Sequence, residues 1–415
     1  MRWANFFHIY QPPRWPTRII RKVSRESYRP LIRFLLGHRQ VRVTLNISGS
    51  LTEQLASLPD QRDILVGVRT LLGRKQIELT DSAMYHAILP LLPTAEIVRQ
   101  IKLTRATNRK HLGPAYRPTG FFPPEMAYSP ALARVLTSLG YTWVIIDGIS
   151  HPGLVDYTVR SRIRGTRLSA IFRNRFMSDY LAFEAQLRDR GRFLETARRW
   201  DGQSSLLVTA MDGENLGHHR HEAKRLWQSL VRLNGLSTIT ISDLLALQAP
   251  DVDLRPRSAS WSTRQSDIAR NAPFSLWRDP NNALHQLQWR LFTTVMTHVG
   301  HVERRRQLPA AIRREVDQAV ASDWYWWASR EPWWDVDIVV NAATRLQVLG
   351  NELGLSRAED ERVQGLVRDI ISTAHRWQSN GAAQRHAGRF LSGSSTPHYL
   401  GGTKVHYPLS RKTSS

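Results

Sequence analysis

The chain has 415 residues, 41% of them apolar, enough to bury one large α/β core and a smaller second one. It contains no cysteine, which excludes disulfides, thiolate metal sites, iron–sulfur ligation and a cysteine nucleophile. The formal charge of +23 asks first for nucleic acid, but 51 of the 58 basic residues are arginines spread along the whole chain.

Clustering is modest, from Arg14 to Arg33, and no zinc-knuckle or RNP-type pattern accompanies it. The expectation is non-specific adhesion to polyanions at low salt and no specific nucleic-acid partner. No segment reaches 18 apolar residues, so no membrane span is expected. The opening MRWANFFHIYQPPRW lacks a charged leader followed by an apolar run, and the expected compartment is the cytoplasm.

Short β-rich runs alternate with helical patterns over the first 250 residues. Strands are expected at Trp3–His8, Arg42–Ile47, Gln76–Thr80, Thr119–Phe122, Thr142–Asp147, Leu168–Phe172, Ser205–Met211 and Thr238–Ile241. Most are nearly continuously apolar, as in parallel strands covered on both faces. Helical spacing falls between them at Ser50–Ala56, Asp63–Leu72, Thr94–Lys110 and Pro130–Leu139. Such alternation predicts an α/β fold, either a barrel or a doubly wound sheet, over residues 1–255. After Pro256 the pattern turns helical, at Asn281–His301, Ala310–Ser329, Val336–Leu353 and Glu359–Ser379. A helical domain over 256–380 is predicted, followed by a Gly-, Ser-, His- and Arg-containing tail, 381–415, expected to be mostly disordered.

Polar residues recur where apolar strands end: His8 and Gln11, Asn46, Glu78, Glu125, then Asp212 with Glu214. In barrels the C-terminal strand ends are where chemistry is assembled, although any one of these acids could equally be a helix cap or a solvated loop residue. Glu125 follows Phe121-Phe122-Pro123-Pro124, a stiff approach suited to holding a nucleophile in place. The same residues would also serve to open the helix at Pro130. Asp212 and Glu214, two apart at a strand end, can face the same way and raise one another's pKa, keeping one protonated as a general acid requires.

Five segments together resemble glycoside hydrolase family 57, the retaining enzymes that include α-amylases, 4-α-glucanotransferases and branching enzymes. They are His8-Ile9-Tyr10-Gln11-Pro12, Gln76-Ile77-Glu78-Leu79, the run ending in Glu125, Met211-Asp212-Gly213-Glu214, and Ser322-Asp323-Trp324-Tyr325-Trp326, in the family's order. The resemblance implies a distorted (β/α)7 parallel barrel, with one of the eight strand candidates outside it, followed by a helical bundle that completes the active site. It implies Glu125 as nucleophile and Asp212 as acid/base, with His8, Glu78, Glu214, Asp323 and Trp326 at sugar-contacting positions. It implies no cofactor, and an oligosaccharide or polysaccharide with α-glucosidic linkages as substrate.

Three positions depart from the family pattern. Tyr10 stands where a second histidine is common, Phe122 where the aromatic before the nucleophile is often tryptophan, and His219 seven residues after the acid/base where tryptophan is frequent. They leave the catalytic pair and alter the sugar platform, so Gln11, Phe122 and His219 join the candidate binding residues. His86 either lines the cleft or is a satisfied core histidine. His218, His219 and His221 with Glu222 raise a competing reading, a metal-dependent hydrolase or deacetylase-like barrel, but they lack the H-E-x-x-H spacing of a helical zinc site. A third reading is a carbohydrate-binding protein that has lost activity.

Overall fold

The computed structural model describes residues 1–393 except 154, 201–204 and 332–333. Ten strands occur among them: β1 (Arg2–Ile9), β2 (Val43–Ile47), β3 (Ile77–Thr80), β4 (Gly120–Phe121), β5 (Trp143–Asp147), β6 (Arg160–Ile163), β7 (Ser169–Arg173), β8 (Leu206–Asp212), β9 (Ser237–Ile239) and β10 (Asp251–Leu254). All eight expected strands are present. β6 and β10 escaped the sequence reading because in Arg160-Ser161-Arg162-Ile163 and Asp251-Val252-Asp253-Leu254 every second residue is charged, which leaves no apolar run.

Seven strands form a closed ring. One sheet runs β3-β2-β1-β8 and the other includes β7-β5-β4, and every pairing along those two paths is parallel. The sheets are stitched at one seam by a parallel bridge between Asp81 and Phe121. At the other seam the Asn174 amide donates to the Val208 carbonyl at 2.7 Å. β9 pairs only with the first residues of β1, and β10 pairs with β6, which meets β7 antiparallel. The strand expected outside the barrel is therefore β9.

Strand alternation divides the core in two. Trp3, Phe7 and Ile9 of β1, with Val43, Leu45 and Ile47 of β2 and Leu207 and Met211 of β8, pack outward against the surrounding helices. Ala4 and Phe6, with Val208, Ala210, Ile145 and Ile171, fill the inside, where Ile241 and Leu244 of the helix Ile241–Leu247 join them. The inward positions of β2 and β3 are instead polar: Thr44, Asn46, Glu78 and Thr80.

Contacts divide the chain into two compact units, meeting between Trp261 and Ser262. Residues 259–261 stay with the barrel because Ala259 bridges Tyr128 and the Trp261 amide donates to the Glu125 carbonyl at 3.0 Å. The second unit is helical, with Ala283–Glu303, Val336–Glu352 and Arg357–Ser379 as its long helices. The helix expected over Ala310–Ser329 is broken into Ala310–Gln318 and Asp323–Ser329. Residues 316–322 are buried without interruption, a pattern no single helical face provides. The expected disorder from Gly381 also needs correction, because Ala382–Gly393 is a helix with Ala383 buried. Its Ala, Gln, Arg and Leu residues favour that state. Residues 394–415 of the expected tail lie outside the described residues. No helix among the described residues is long and apolar enough to cross a membrane.

The barrel leaves no room for a side chain at Gly120 of β4. A Cβ there would lie 2.0 Å from the Trp143 ring on the neighbouring strand. Gly120→Ala is expected to lose about 1–3 kcal/mol of stability through overpacking, seen as a lower denaturant midpoint at unchanged m-value.

Candidate active site

Parallel register brings four polar residues to one level at the C-terminal ends of adjacent strands. His8 pairs with Asn46 on one side and Asp212 on the other, and Asn46 pairs with Thr80. The Asn46 amide nitrogen donates to Thr80 Oγ1 at 3.0 Å, which turns its carbonyl oxygen toward His8 Nδ1, 2.8 Å away. His8 therefore carries its proton on Nδ1. Its Nε2 lies 3.0 Å from His86 Nε2, so that contact's proton belongs to His86; both tautomers follow from the hydrogen-bond network. The His8 ring stacks on Phe122 at 4.5 Å between centroids and His86 stacks on Tyr10 at 4.1 Å. Burial pushes the His8 pKa down to about 3 despite the bond to Asn46, and burial beside His8 holds His86 well below the ordinary imidazole range. Both rings stay neutral near pH 7.

Glu125 occupies a left-handed conformation, φ 59° and ψ 16°, in the tight turn Pro124–Met126. Non-glycine residues rarely hold this geometry, and where they do it often accompanies function. The carboxylate accepts from Trp261 Nε1 at 2.6 Å, and its other oxygen lies 4.0 Å from His86 Nδ1. His86 is itself left-handed, φ 55°.

Asp212 ends β8 and Glu214 follows in a short turn. At Gly213 between them an added Cβ would lie 2.5 Å from Ile9 Cγ2, so a side chain there would force Ile9 to shift. The Ser27 hydroxyl donates to the Gly213 carbonyl at 2.6 Å. Glu214 is buried and accepts from Tyr28 Oη, from Gln11 Nε2 at 3.3 Å and from the Tyr10 amide at 3.3 Å. Burial drives its pKa up to about 7 against those hydrogen bonds. Asp212 is held well above the carboxylate range by burial first, then by the charges of Glu214 and Glu125, with Arg173 opposing. The pair retains a proton near neutrality, and its two groups titrate together.

Of the residues expected from sequence, His8, Gln11, His86, Glu125, Asp212 and Glu214 form this connected group. Phe122 is fully buried beneath His8 and between Phe6 and Trp261, a floor to the site. His219 belongs to the loop after Asp212, its amide donating to the Glu214 carbonyl at 3.0 Å, and burial lowers its pKa to about 4. Glu78 is placed elsewhere. It sits two residues below the His8 level, and its carboxylate accepts from Thr44 Oγ1 at 3.1 Å and from the Ser242 amide and hydroxyl. It thus tethers the first turn of the helix Ile241–Leu247 to β3. Asp323 and Trp326 lie in the second unit, on the helix Asp323–Ser329, with the Trp326 amide donating to the Ser322 carbonyl at 3.1 Å.

Among the described residues no three His, Asp or Glu side chains converge as a metal-holding group. The His218 ring meets Glu26 at 2.6 Å. Three members of the site were missed. Tyr28 lies on a helical turn with no sequence mark, and Trp261 arrives from a distant loop. Arg173 alone had a signal, a charged residue closing the apolar run Ser169–Phe172.

The fold is thus a parallel barrel with carboxyl groups gathered at the C-terminal ends of its strands. The chain belongs to glycosyl hydrolase family 57, whose sequence model matches residues 4–257. It is 31% identical over 141 residues to an α-amylase of Pyrococcus horikoshii, a match covering 34% of this chain and 21% of that protein. It is 28% identical over 141 residues to a 4-α-glucanotransferase of Thermococcus litoralis, covering 34% and 21%. The matched region thus spans about a fifth of these relatives' length. In fold, the chain is similar to a family 57 branching enzyme of Thermococcus kodakaraensis, with a TM-score of 0.65 at 15% identity over 97% of this chain and 96% of that one. The crystal structure of the T. litoralis 4-α-glucanotransferase gives a TM-score of 0.64 at 18% identity, over 84% of this chain and 58% of that one.

Replacing Glu214 by Gln removes one of the charges that keep the proton on Asp212. The midpoint for Asp212 ionisation, followed by ¹³C NMR of labelled aspartate carboxyls, is expected to fall toward lower pH. A midpoint that stays or rises would mean that Glu214 does not govern Asp212.

Proposed function

We propose that this protein is a retaining enzyme acting on α-linked glucans, with Glu125 as nucleophile and Asp212 as acid/base. The observation that carries the reading is the carboxyl pair at the end of β8, Glu214 buried and Asp212 half-buried, which keeps a proton near neutrality within the electrostatic reach of Glu125. Two acids of unlike protonation flanking one cleft are what glycoside cleavage requires. Asp212 protonates the departing oxygen as Glu125 attacks the anomeric carbon and forms a glycosyl ester. Asp212 then deprotonates the incoming hydroxyl, which displaces Glu125 and restores the original anomeric configuration. Water as acceptor gives hydrolysis and a sugar hydroxyl gives transfer.

The substrate class is supported by the relatives' names, α-amylase and 4-α-glucanotransferase. The neutral His8–His86 pair and Tyr10 add a stacked, uncharged wall suited to a sugar. Asp323 and Trp326, three apart and so on one face of their helix, are in this reading further candidates for sugar contact.

Maltoheptaose incubation followed by product analysis tests the reaction. Shorter maltooligosaccharides indicate hydrolysis, a ladder of longer and shorter chains indicates transfer, and unchanged substrate sinks the proposal. Glu125→Ala is expected to be inactive and partly rescued by azide, giving a product of inverted configuration. Asp212→Ala should slow glucan turnover on the order of 10²–10⁴-fold yet still react with an aryl glycoside. Mass spectrometry after such a pulse should find the sugar on Glu125; a label found only on the peptide of Asp212 and Glu214 would refute the nucleophile assignment. Asp323→Ala should lower kcat/KM on maltoheptaose while leaving the melting temperature of the barrel unchanged, and full activity would remove the helical unit from the site.

A further inference from the structure

Arg173 is the last residue of β7 and is only 4% exposed. A guanidinium withdrawn from water is costly unless its donors are engaged, and here they are. Nε donates to Asp147 at 2.5 Å, Nη1 to the Ala210 carbonyl at 3.0 Å, and Nη2 lies 3.2 Å from Asp179. Its carbon centre also sits 5.5 Å from the ring of Trp261. Two of these contacts lead straight to the proposed reaction centre. Ala210 precedes Asp212 by two residues on β8, the spacing at which side chains share a face. Trp261 is the indole whose N–H donates to Glu125.

We infer that Arg173 is a positioning residue for both reacting carboxyl groups, fixing the strand end that carries Asp212 and supporting the indole that hydrogen-bonds Glu125. The catalytic consequence rests on the retaining reading above; the contacts and the charge effect on Asp212 do not. The fork geometry matters, since one planar group must reach a strand carbonyl and two carboxylates while presenting a face to an indole, and an ammonium cannot do all of these.

The charges around the two centres fix the sign of the effect. Asp212 faces Glu214 and Glu125, with neutral His8 as its cross-strand neighbour and Tyr28 beyond Glu214. Arg173 faces Asp147, Asp179 and the ring of Tyr157, while Arg175 approaches both aspartates, Asp147 at 3.5 Å and Asp179 at 3.8 Å. Removing the guanidinium takes one positive charge from beside Asp147 and Asp179, a net negative change near Asp212.

The test compares Arg173→Met, Arg173→Lys and Trp261→Phe with the full-length parent, using pH–rate profiles on maltoheptaose and ¹³C NMR titration of aspartate carboxyls. In Arg173→Met the Asp212 midpoint and the alkaline limb of kcat/KM are expected to move up by about half a pH unit or more, opposite to Glu214→Gln. Arg173→Lys should return the limb to its original place and still lose about tenfold in kcat, because the charge is kept and the fork is not. Trp261→Phe should lower the rate of glycosyl-enzyme formation and leave the alkaline limb where it is. A folded Arg173→Met protein with an unmoved Asp212 midpoint overturns the inference. So does Arg173→Lys with full kcat, which decides the matter even if the methionine variant does not fold. If the parent turns over no glucan, the retaining reading fails by itself, and the Asp212 midpoint still decides what Arg173 does.

Discussion

The site is organised by two carboxyl groups two residues apart at the end of one strand, Glu214 buried and Asp212 half-buried. Asp212 and Glu214 cannot both ionise cheaply in that environment, and the surroundings divide the burden unequally. Glu214 receives three hydrogen bonds, from Tyr28, Gln11 and the Tyr10 amide. The causes acting on Asp212 are burial, two like charges and one opposing cation. Hydrogen bonds to Glu214 favour its ionised form, so the proton shared by the pair is drawn toward Asp212. Much nearby structure serves this asymmetry: Gly213 lets the turn lie against Ile9, and Ser27 and Tyr28 reach it from a neighbouring helical segment.

A second constraint is parallel register. Because β8, β1, β2 and β3 are in step, Asp212, His8, Asn46 and Thr80 reach the same level, and hydrogen bonds run sideways from strand to strand. The orientation of Asn46 fixes the tautomer of His8, which fixes that of His86. A one-residue slip of any strand would turn this row from the inside of the barrel to the outside. The level below is used differently. There Thr44 and Glu78 receive the start of the helix Ile241–Leu247, so one ring of inward polar positions builds the site and another anchors the helix whose Ile241 and Leu244 pack onto the inner core.

The two reacting carboxyl groups are held by different means. Asp212 is part of a strand and inherits its rigidity. Glu125 stands in a turn, at a backbone angle that a free chain avoids, and is secured by the prolines before it and by Trp261, whose amide and indole both bond to it. Arg173 touches the supports of both.

The sequence by itself determined the alternation of buried strands and helices, the change to an all-helical region, and the positions of Glu125, Asp212 and Glu214. Local hydrophobic period and strand-end chemistry are properties of short segments, so they survive in one dimension. β6 and β10 were illegible because charge at every second residue leaves them no apolar run. The role of Glu78 was decided only by tertiary structure: its motif was plain, but its partner Ser242 lies 164 residues away. The same holds for Trp261, 136 residues from Glu125, and for Tyr28, 186 residues from Glu214. Protonation was likewise beyond the sequence in degree. Spacing of two residues said that Asp212 and Glu214 would influence each other, but which of them keeps the proton depends on which finds hydrogen bonds once buried. That is a property of the closed barrel.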